Sequence, residues 1–195
     1  MAETKTLSKY LAKVADNENL SYDESCDTMD VIMSGEASEI QVASFLTALR
    51  MKGETPDEIS GLARGMRDKA AKIENEKDAV EIVGTGGDLA NSFNISTIYF
   101  LFAQSYHKSM KYVAPVRKAM GIRTVFNILG PLTNPAETDY IVLGSYSREL
   151  LPVLASVLIK LGIKHGMVVH GTDVLDEVSI SAPTAVAEVV NGEIK

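Results

Sequence analysis

The sequence predicts an α/β protein in two parts, a small all-helical N-terminal domain over residues 1–72 and a parallel-sheet α/β domain over residues 79–195. Three observations predict it. Apolar residues recur at helical spacing through the first 72 residues, helix-start signatures return there, and beyond residue 79 short apolar runs alternate with an amphipathic segment.

Taken in order, Leu7, Leu11 and Val14 recur at steps of four and three and predict a first helix. Ser21 with Glu24 has the form of a capping box, and Val31, Ile32 and Gly35 close a second helix. Ser38 with Gln41 repeats the signature ahead of Val42, Phe45, Leu46 and Leu49, and that helix ends at Gly53. Thr55-Pro56-Asp57-Glu58 opens another, with Pro56 at the first helical position and Ile59, Leu62 and Met66 behind it. The charged run from Lys72 to Asp78 reads as a domain boundary, and equally well as a solvated loop. Ala79-Val80-Glu81-Ile82-Val83 predicts a buried strand running into Gly84. Tyr140-Ile141-Val142-Leu143 predicts a second strand, residues 148–161 an amphipathic helix, and Gly166-Met167-Val168-Val169-His170 a third strand. No internal repeat is visible.

Of 195 residues, 46% are hydrophobic and 23% charged, which excludes a disordered chain. The net charge of −7 gives no electrostatic reason to hold a nucleic acid, so a bound polyanion must be gripped locally by backbone amides, a metal ion or a few placed cations. Cys26 is the single cysteine, which rules out an intrachain disulfide, and its apolar-periodic surroundings predict burial. Neither a signal peptide nor a membrane-spanning apolar run is present, and a cytoplasmic location is expected.

Three segments could carry chemistry. Gly84-Thr85-Gly86-Gly87-Asp88 follows a strand directly, so its backbone can turn tightly and aim several N–H groups at one anion; Asn94, Ser96 and Thr97 follow where a helix could begin. No Lys follows as in a Walker loop, the spacing is not G-x-G-x-x-G, and a Gly-rich hairpin with polar caps is the competing reading. Asp173, Asp176 and Glu177 follow the third strand, where adjacent carboxylates suit Mg²⁺ shared with substrate phosphates; a solvated acidic loop would look the same. Lys108, Lys111, Arg117, Lys118 and Arg123 gather positive charge in an acidic chain and could hold a carboxylate or phosphate, or pair with surface acids. His107 lies among them without a partner pattern that marks an acid or base, and no Ser-His-Asp, Cys-His or HExxH constellation is visible. These residues point to binding and electrostatics.

With Gly35-Glu36-Ala37-Ser38, residues 48–55, Gly84 to Asp88, Phe93 to Thr97, Val113 to Arg117, Phe126 to Pro135, Val169-His170-Gly171, Leu175-Asp176-Glu177 and Ser179, the chain resembles the anthranilate phosphoribosyltransferase family. The resemblance implies a helical dimerisation domain and an α/β domain of the nucleoside phosphorylase/phosphoribosyltransferase type. It implies transfer of a phosphoribosyl group from phosphoribosyl pyrophosphate to anthranilate, a step of tryptophan biosynthesis, with Mg²⁺ as cofactor and no side chain as catalytic acid, base or nucleophile. On it, Gly84, Gly87, Asp88, Ser92, Asn94, Ile95, Ser96 and Thr97 bind the donor, Gly84 and Arg117 bind anthranilate, and Ser96, Asp176 and Glu177 hold the metal. A homodimer is expected, with no nucleic-acid or membrane partner. The sequence departs from the family in two places. The segment carrying a Lys-His-Gly-Asn-Arg-Ser motif is missing between Thr97 and Phe100, and relatives continue past Lys195, so an incomplete sheet is expected. A non-catalytic remnant that dimerises or binds Mg-pyrophosphate, and a pyrimidine nucleoside phosphorylase relative, are the alternatives.

Overall fold

A computed structural model describes residues 6–71, 79–86 and 107–195, which fall into two compact units. One contains residues 6–71 and 107–135, the other residues 79–86 and 136–195.

The helical unit begins with α1 (Leu7–Ala15), α2 (Tyr22–Ser34), α3 (Glu39–Lys52) and α4 (Pro56–Asp68). At each of the three starts marked in the sequence both arms of the capping box form: Ser21 with Glu24, Ser38 with Gln41, and Thr55 with Glu58. Helix α4 lies close against α2 because Gly61 and Gly65 share one face. A Cβ at Gly61 would stand 2.3 Å from the Tyr22 carbonyl oxygen, and one at Gly65 would stand 2.8 Å from Met29 Cβ. Leu7, Leu20, Met29, Ile32, Phe45, Leu46, Leu49, Ile59 and Leu62 fill the core. Cys26, expected to be buried, is only half-buried.

Glu58 joins three elements from within this core. One carboxylate oxygen accepts the Leu20 N–H at 2.9 Å; the other accepts the Thr55 N–H at 2.8 Å and Lys52 Nζ at 2.9 Å. The side chains of Lys52 and Glu58 are 4% and 0% exposed, so the pair is shielded from water.

Residues 107–135, which the sequence assigned to the α/β domain, pack with the helical unit instead. They form a 3₁₀ turn (Lys108–Tyr112), α5 (Ala114–Met120) and α6 (Phe126–Leu132). Their apolar residues Val113, Val116, Phe126, Leu129 and Leu132 are buried. Two bundle arginines satisfy their carbonyls: Arg67 Nε donates to Leu132 O at 2.8 Å and Arg50 donates to Arg123 O at 2.6 Å. His107 is buried and donates its Nε2–H to Thr133 O at 2.8 Å. Burial pushes its imidazole below the usual range, so it is neutral and structural.

The sheet unit comprises β1 (Val80–Gly84), β2 (Tyr140–Gly144), α7 (Leu151–Lys160), β3 (His165–Gly171), β4 (Thr184–Val190) and β5 (Glu193–Ile194), in the order β1-β2-β3-β4-β5. The three strands read from the sequence, β1, β2 and β3, are parallel as expected, and the sheet is extended by β4 and β5, which are antiparallel to their neighbours and make it mixed. The reason lies in the connections. Helix α7 carries the chain back between β2 and β3, but no helix lies between β3 and β4, so the strand returns alongside. Asn191 and Gly192, with φ of 50° and 84°, then close a hairpin between β4 and β5. The helix expected over 148–161 begins with a 3₁₀ turn, Arg148–Leu150, and becomes α-helical at Leu151, with Pro152 in its first turn.

Ile141, Leu143, Val168, Ala187 and Val189 share one face of the sheet and are buried, as are Leu154, Ala155 and Leu158 of α7, which packs on β3 and β4. The opposite face leaves Val80, Ile82, Met167 and Val186 exposed. No helix among the described residues is long and apolar enough to cross a membrane.

Replacing Glu58 leaves the Lys52 ammonium buried without its counter-ion and two backbone N–H groups without an acceptor. Glu58→Ala is therefore expected to cost about 3–5 kcal/mol of stability, read as a lower denaturation midpoint in urea.

Candidate functional site

The three parallel strands all end in glycine. Gly84 stands opposite Gly144 in the ladder, and β3 runs on to Gly171. Ligands of open α/β sheets bind beyond the carboxyl ends of the strands, and this edge is where the glycine turn and the acidic loop meet. The loop of residues 172–183 folds back across the strand ends. A Cβ at Gly144 would lie 1.5 Å from the Asp176 carbonyl oxygen, and one at Gly84 would lie 2.6 Å from Asp176 Oδ2. The Gly86 N–H donates to that same Oδ2 at 2.6 Å. This short charge-assisted bond joins the start of the glycine turn to the acidic loop.

Neighbouring groups hold the strand ends in register. The Thr85 N–H donates to Gly144 O at 2.9 Å, and Thr85 Oγ1 accepts the Tyr146 N–H at 3.0 Å. The Ser145 N–H donates to Val169 O at 2.8 Å, and buried His170 donates Nδ1–H to Ser145 O at 2.8 Å.

The two carboxylates expected to act together occupy different surroundings: Asp176 is buried, at 6% exposure, and Glu177 is exposed. Asp173 takes two hydroxyl donors, Ser179 Oγ at 2.7 Å and Ser181 Oγ at 2.8 Å, which hold its carboxyl below the usual carboxylate range. The donor chemistry of Asp176 and Glu177 fits a hard divalent cation. No group of three or more His, Cys, Asp or Glu side chains that could hold a metal ion gathers among the described residues.

Of the residues singled out in the sequence, Gly84 and Asp176 are in contact at this edge, and Glu177 follows on the loop. Arg117 belongs to the helical unit, on α5. Its guanidinium lies 5.5 Å from the centre of the Phe126 ring and is half-buried, which pushes it down from its ordinary value. Lys108, Lys111, Lys118 and Arg123 are exposed, so Arg117 is the sheltered cation of that cluster. Gly87, Asp88, Ser92, Asn94, Ile95, Ser96 and Thr97 lie outside the described residues. Gly144 is the position that sequence reasoning missed. Its signal was available, since glycine closes each of the three apolar strand runs.

A methyl group at residue 144 cannot coexist with the Asp176 carbonyl. Gly144→Ala is expected to displace the 172–183 loop, to cost about 1–3 kcal/mol through overpacking, and to free the Gly86 amide, which faster hydrogen exchange at Gly86 would report.

Comparison with known proteins agrees with this arrangement. Residues 8–70 match the glycosyl transferase family helical bundle domain and residues 97–195 the glycosyl transferase family a/b domain. The chain is 42% identical to the anthranilate phosphoribosyltransferase of Lachnoclostridium phytofermentans over 93% of its own length and 70% of the relative's. It is 45% identical to that of Lacticaseibacillus casei over 91% and 68%. The first alignment spans 235 positions against a chain of 195, so at least 40 internal positions of that relative have no counterpart here. Among solved structures, anthranilate phosphoribosyltransferase from Thermus thermophilus superposes with a TM-score of 0.86 at 33% identity, covering 92% of this chain and 70% of the other. The Saccharomyces cerevisiae enzyme in complex with PRPP and Mg superposes with a TM-score of 0.85 at 27% identity, covering 98% and 72%. On these matches over nearly the whole chain, the chain belongs to the anthranilate phosphoribosyltransferase family.

Proposed function

We propose that this chain transfers the phosphoribosyl group of phosphoribosyl pyrophosphate to the amine of anthranilate, giving N-(5-phosphoribosyl)anthranilate and pyrophosphate. The observation that carries the reading is the bond between the Gly86 N–H and Asp176 Oδ2, which joins the glycine turn and the acidic loop at the carboxyl edge of the parallel strands. On this reading Asp176 and Glu177, with Ser96, hold Mg²⁺. Gly84, Gly87, Asp88, Ser92, Asn94, Ile95, Ser96 and Thr97 receive the donor, and Gly84 and Arg117 receive anthranilate.

The chemistry asks for electrostatics and aim. Cleavage of the ribose–oxygen bond builds positive charge on the sugar and negative charge on the departing pyrophosphate. When bound, Mg²⁺ supplies positive charge to the pyrophosphate oxygens. On this reading the phosphates take backbone N–H groups beyond Gly86, because those of Thr85 and Gly86 are already given to Gly144 O and Asp176 Oδ2. Arg117, kept charged and held over Phe126, would take the anthranilate carboxylate by paired hydrogen bonds and point its amine at the sugar carbon. No general base is required at the outset, because the amine sheds its proton only as the new bond forms.

We also read the chain as a cytoplasmic homodimer assembled through its helical unit. Ile40 and Met51, 79% and 83% exposed on one face of α3, supply apolar surface for such an assembly.

Mixing the protein with anthranilate, phosphoribosyl pyrophosphate and Mg²⁺ should make anthranilate fluorescence decay. No decay at any enzyme concentration would overturn the proposal. Asp176→Ala with Glu177→Ala should slow the decay by about a hundredfold or more, because several kcal/mol of charge stabilisation is lost. In the same assay Arg117→Ala should raise the KM for anthranilate by about 10–100-fold, the worth of a charged hydrogen-bond pair, with little change in the KM for the donor.

A further inference from the structure

The proposed chemistry uses Asp176 and Glu177 and leaves Asp173 unused, although the Asp173 side chain joins the two arms of the acidic loop. The loop leaves β3 through a tight turn in which the Val174 N–H donates to Gly171 O and the Gly171 N–H donates to Leu175 O, both at 2.9 Å. Val174 holds φ at 68°, a left-handed conformation that a β-branched residue adopts only where its surroundings impose it. Asp173 Oδ2 takes the hydroxyl hydrogens of Ser179 and Ser181 from the returning arm. Ser179 Oγ in turn accepts the N–H groups of Ser181 and Ala182, both at 3.1 Å, while the Ser179 N–H donates to Thr184 Oγ1 at 3.0 Å on β4. The second Asp173 oxygen is buried where a Cβ on Gly171 would stand 2.5 Å away, so the glycine that ends β3 makes room for it. Between these fastened arms lie Asp176, pressed against Gly84 and Gly144, and Glu177.

We propose that Asp173 is a positioning residue that, by tying Ser179 and Ser181 to the outgoing arm, seats Asp176 against the Gly86 amide and thereby sets the affinity of the loop for a divalent cation. The cation clause rests on the metal role proposed for Asp176 and Glu177; the seating of Asp176 does not. Asp173 acts through its neighbours and touches neither substrate nor metal. Groups that orient metal ligands from one shell further out commonly change affinity by about 10–100-fold when removed.

The test uses the full chain with two readouts that need no turnover: hydrogen exchange of the Gly86 amide by NMR, and Mn²⁺ binding by electron paramagnetic resonance. Asp173→Asn should speed Gly86 exchange and raise the Mn²⁺ half-saturation concentration, each by about tenfold or more. The double variant Ser179→Ala with Ser181→Ala should do the same from the other arm, and Ser179→Thr, which keeps a hydroxyl, should leave both readouts as in the wild type. If Asp173→Asn does not fold, the serine pair carries the test. A lower melting temperature with Gly86 exchange and Mn²⁺ affinity unchanged would make Asp173 a mere loop brace and overturn the proposal. If Asp176→Ala with Glu177→Ala leaves Mn²⁺ binding intact, the metal role and the cation clause fall, while Gly86 exchange in Asp173→Asn still decides the seating.

Discussion

The absence of a side chain at Gly84 and Gly144 is the constraint on which the functional edge depends. Two adjacent parallel strands end in glycine at the same rung; a Cβ at Gly144 would stand 1.5 Å from the Asp176 backbone carbonyl oxygen, and one at Gly84 would stand 2.6 Å from the Asp176 carboxylate. That closeness gives the loop a defined floor. It lets the Asp176 carboxylate reach the Gly86 amide directly rather than through water. The carboxylate is therefore largely withdrawn from solvent, with the Gly86 N–H donating to it in place of water.

A comparable economy of space governs the helical unit. Gly61 and Gly65 bring α4 against α2, and at the start of α4 Glu58 is buried with Lys52 of α3 and accepts the backbone N–H groups of Leu20 and Thr55. The second segment of this unit is joined by different means. Arg67 and Arg50 reach from the bundle to carbonyls at Leu132 and Arg123, and the short helices α5 and α6 contribute apolar side chains to the core. Arg117 is thus presented from a well-packed support, with Phe126 beneath its guanidinium. Preorganisation of this kind matters for the proposed reaction, which is read as relying on aim and electrostatics.

The mixed sheet follows from chain length between strands. A helix is available to return the chain between β2 and β3 but not between β3 and β4, and the hairpin that results carries the acidic loop at its head. Because β3 and β4 are paired along their whole length, both ends of residues 172–183 are anchored to the same ladder, which is what allows one carboxylate, Asp173, to tie the loop across its middle. Val80, Ile82, Met167 and Val186 on the opposite face have no cover among the described residues, in a chain that lacks at least 40 internal positions of an aligned relative.

Local chemistry made much of this legible in advance. The two capping boxes, the Thr55-Pro56 helix start, the helix closing at Gly35, the β1, β2 and β3 runs and the acidic pair at 176–177 depend on residues a few positions apart, so spacing predicts them, although β1, read as buried, is exposed at Val80 and Ile82. The family blocks pointed to the transferase, and the relatives agree. What spacing does not carry is which segment packs with which. Residues 107–135 join the helical unit because their apolar faces and carbonyls meet partners far away in the chain. The direction of β4 depends on a connection without a helix, although Asn191-Gly192 was a hairpin signal that could have been read. The different burial of Asp176 and Glu177 could not be read, because adjacent residues share every sequence property that predicts exposure; only the approach of the loop to Gly84 and Gly144 separates them. The sequence by itself determined α1 to α4, β1 to β3, the helix at 148–161 and the chemical character of the site, but not α5, α6, β4 or β5. The tertiary structure decided which carboxylate is seated and what holds it there, since both arise from contacts between residues distant in the chain.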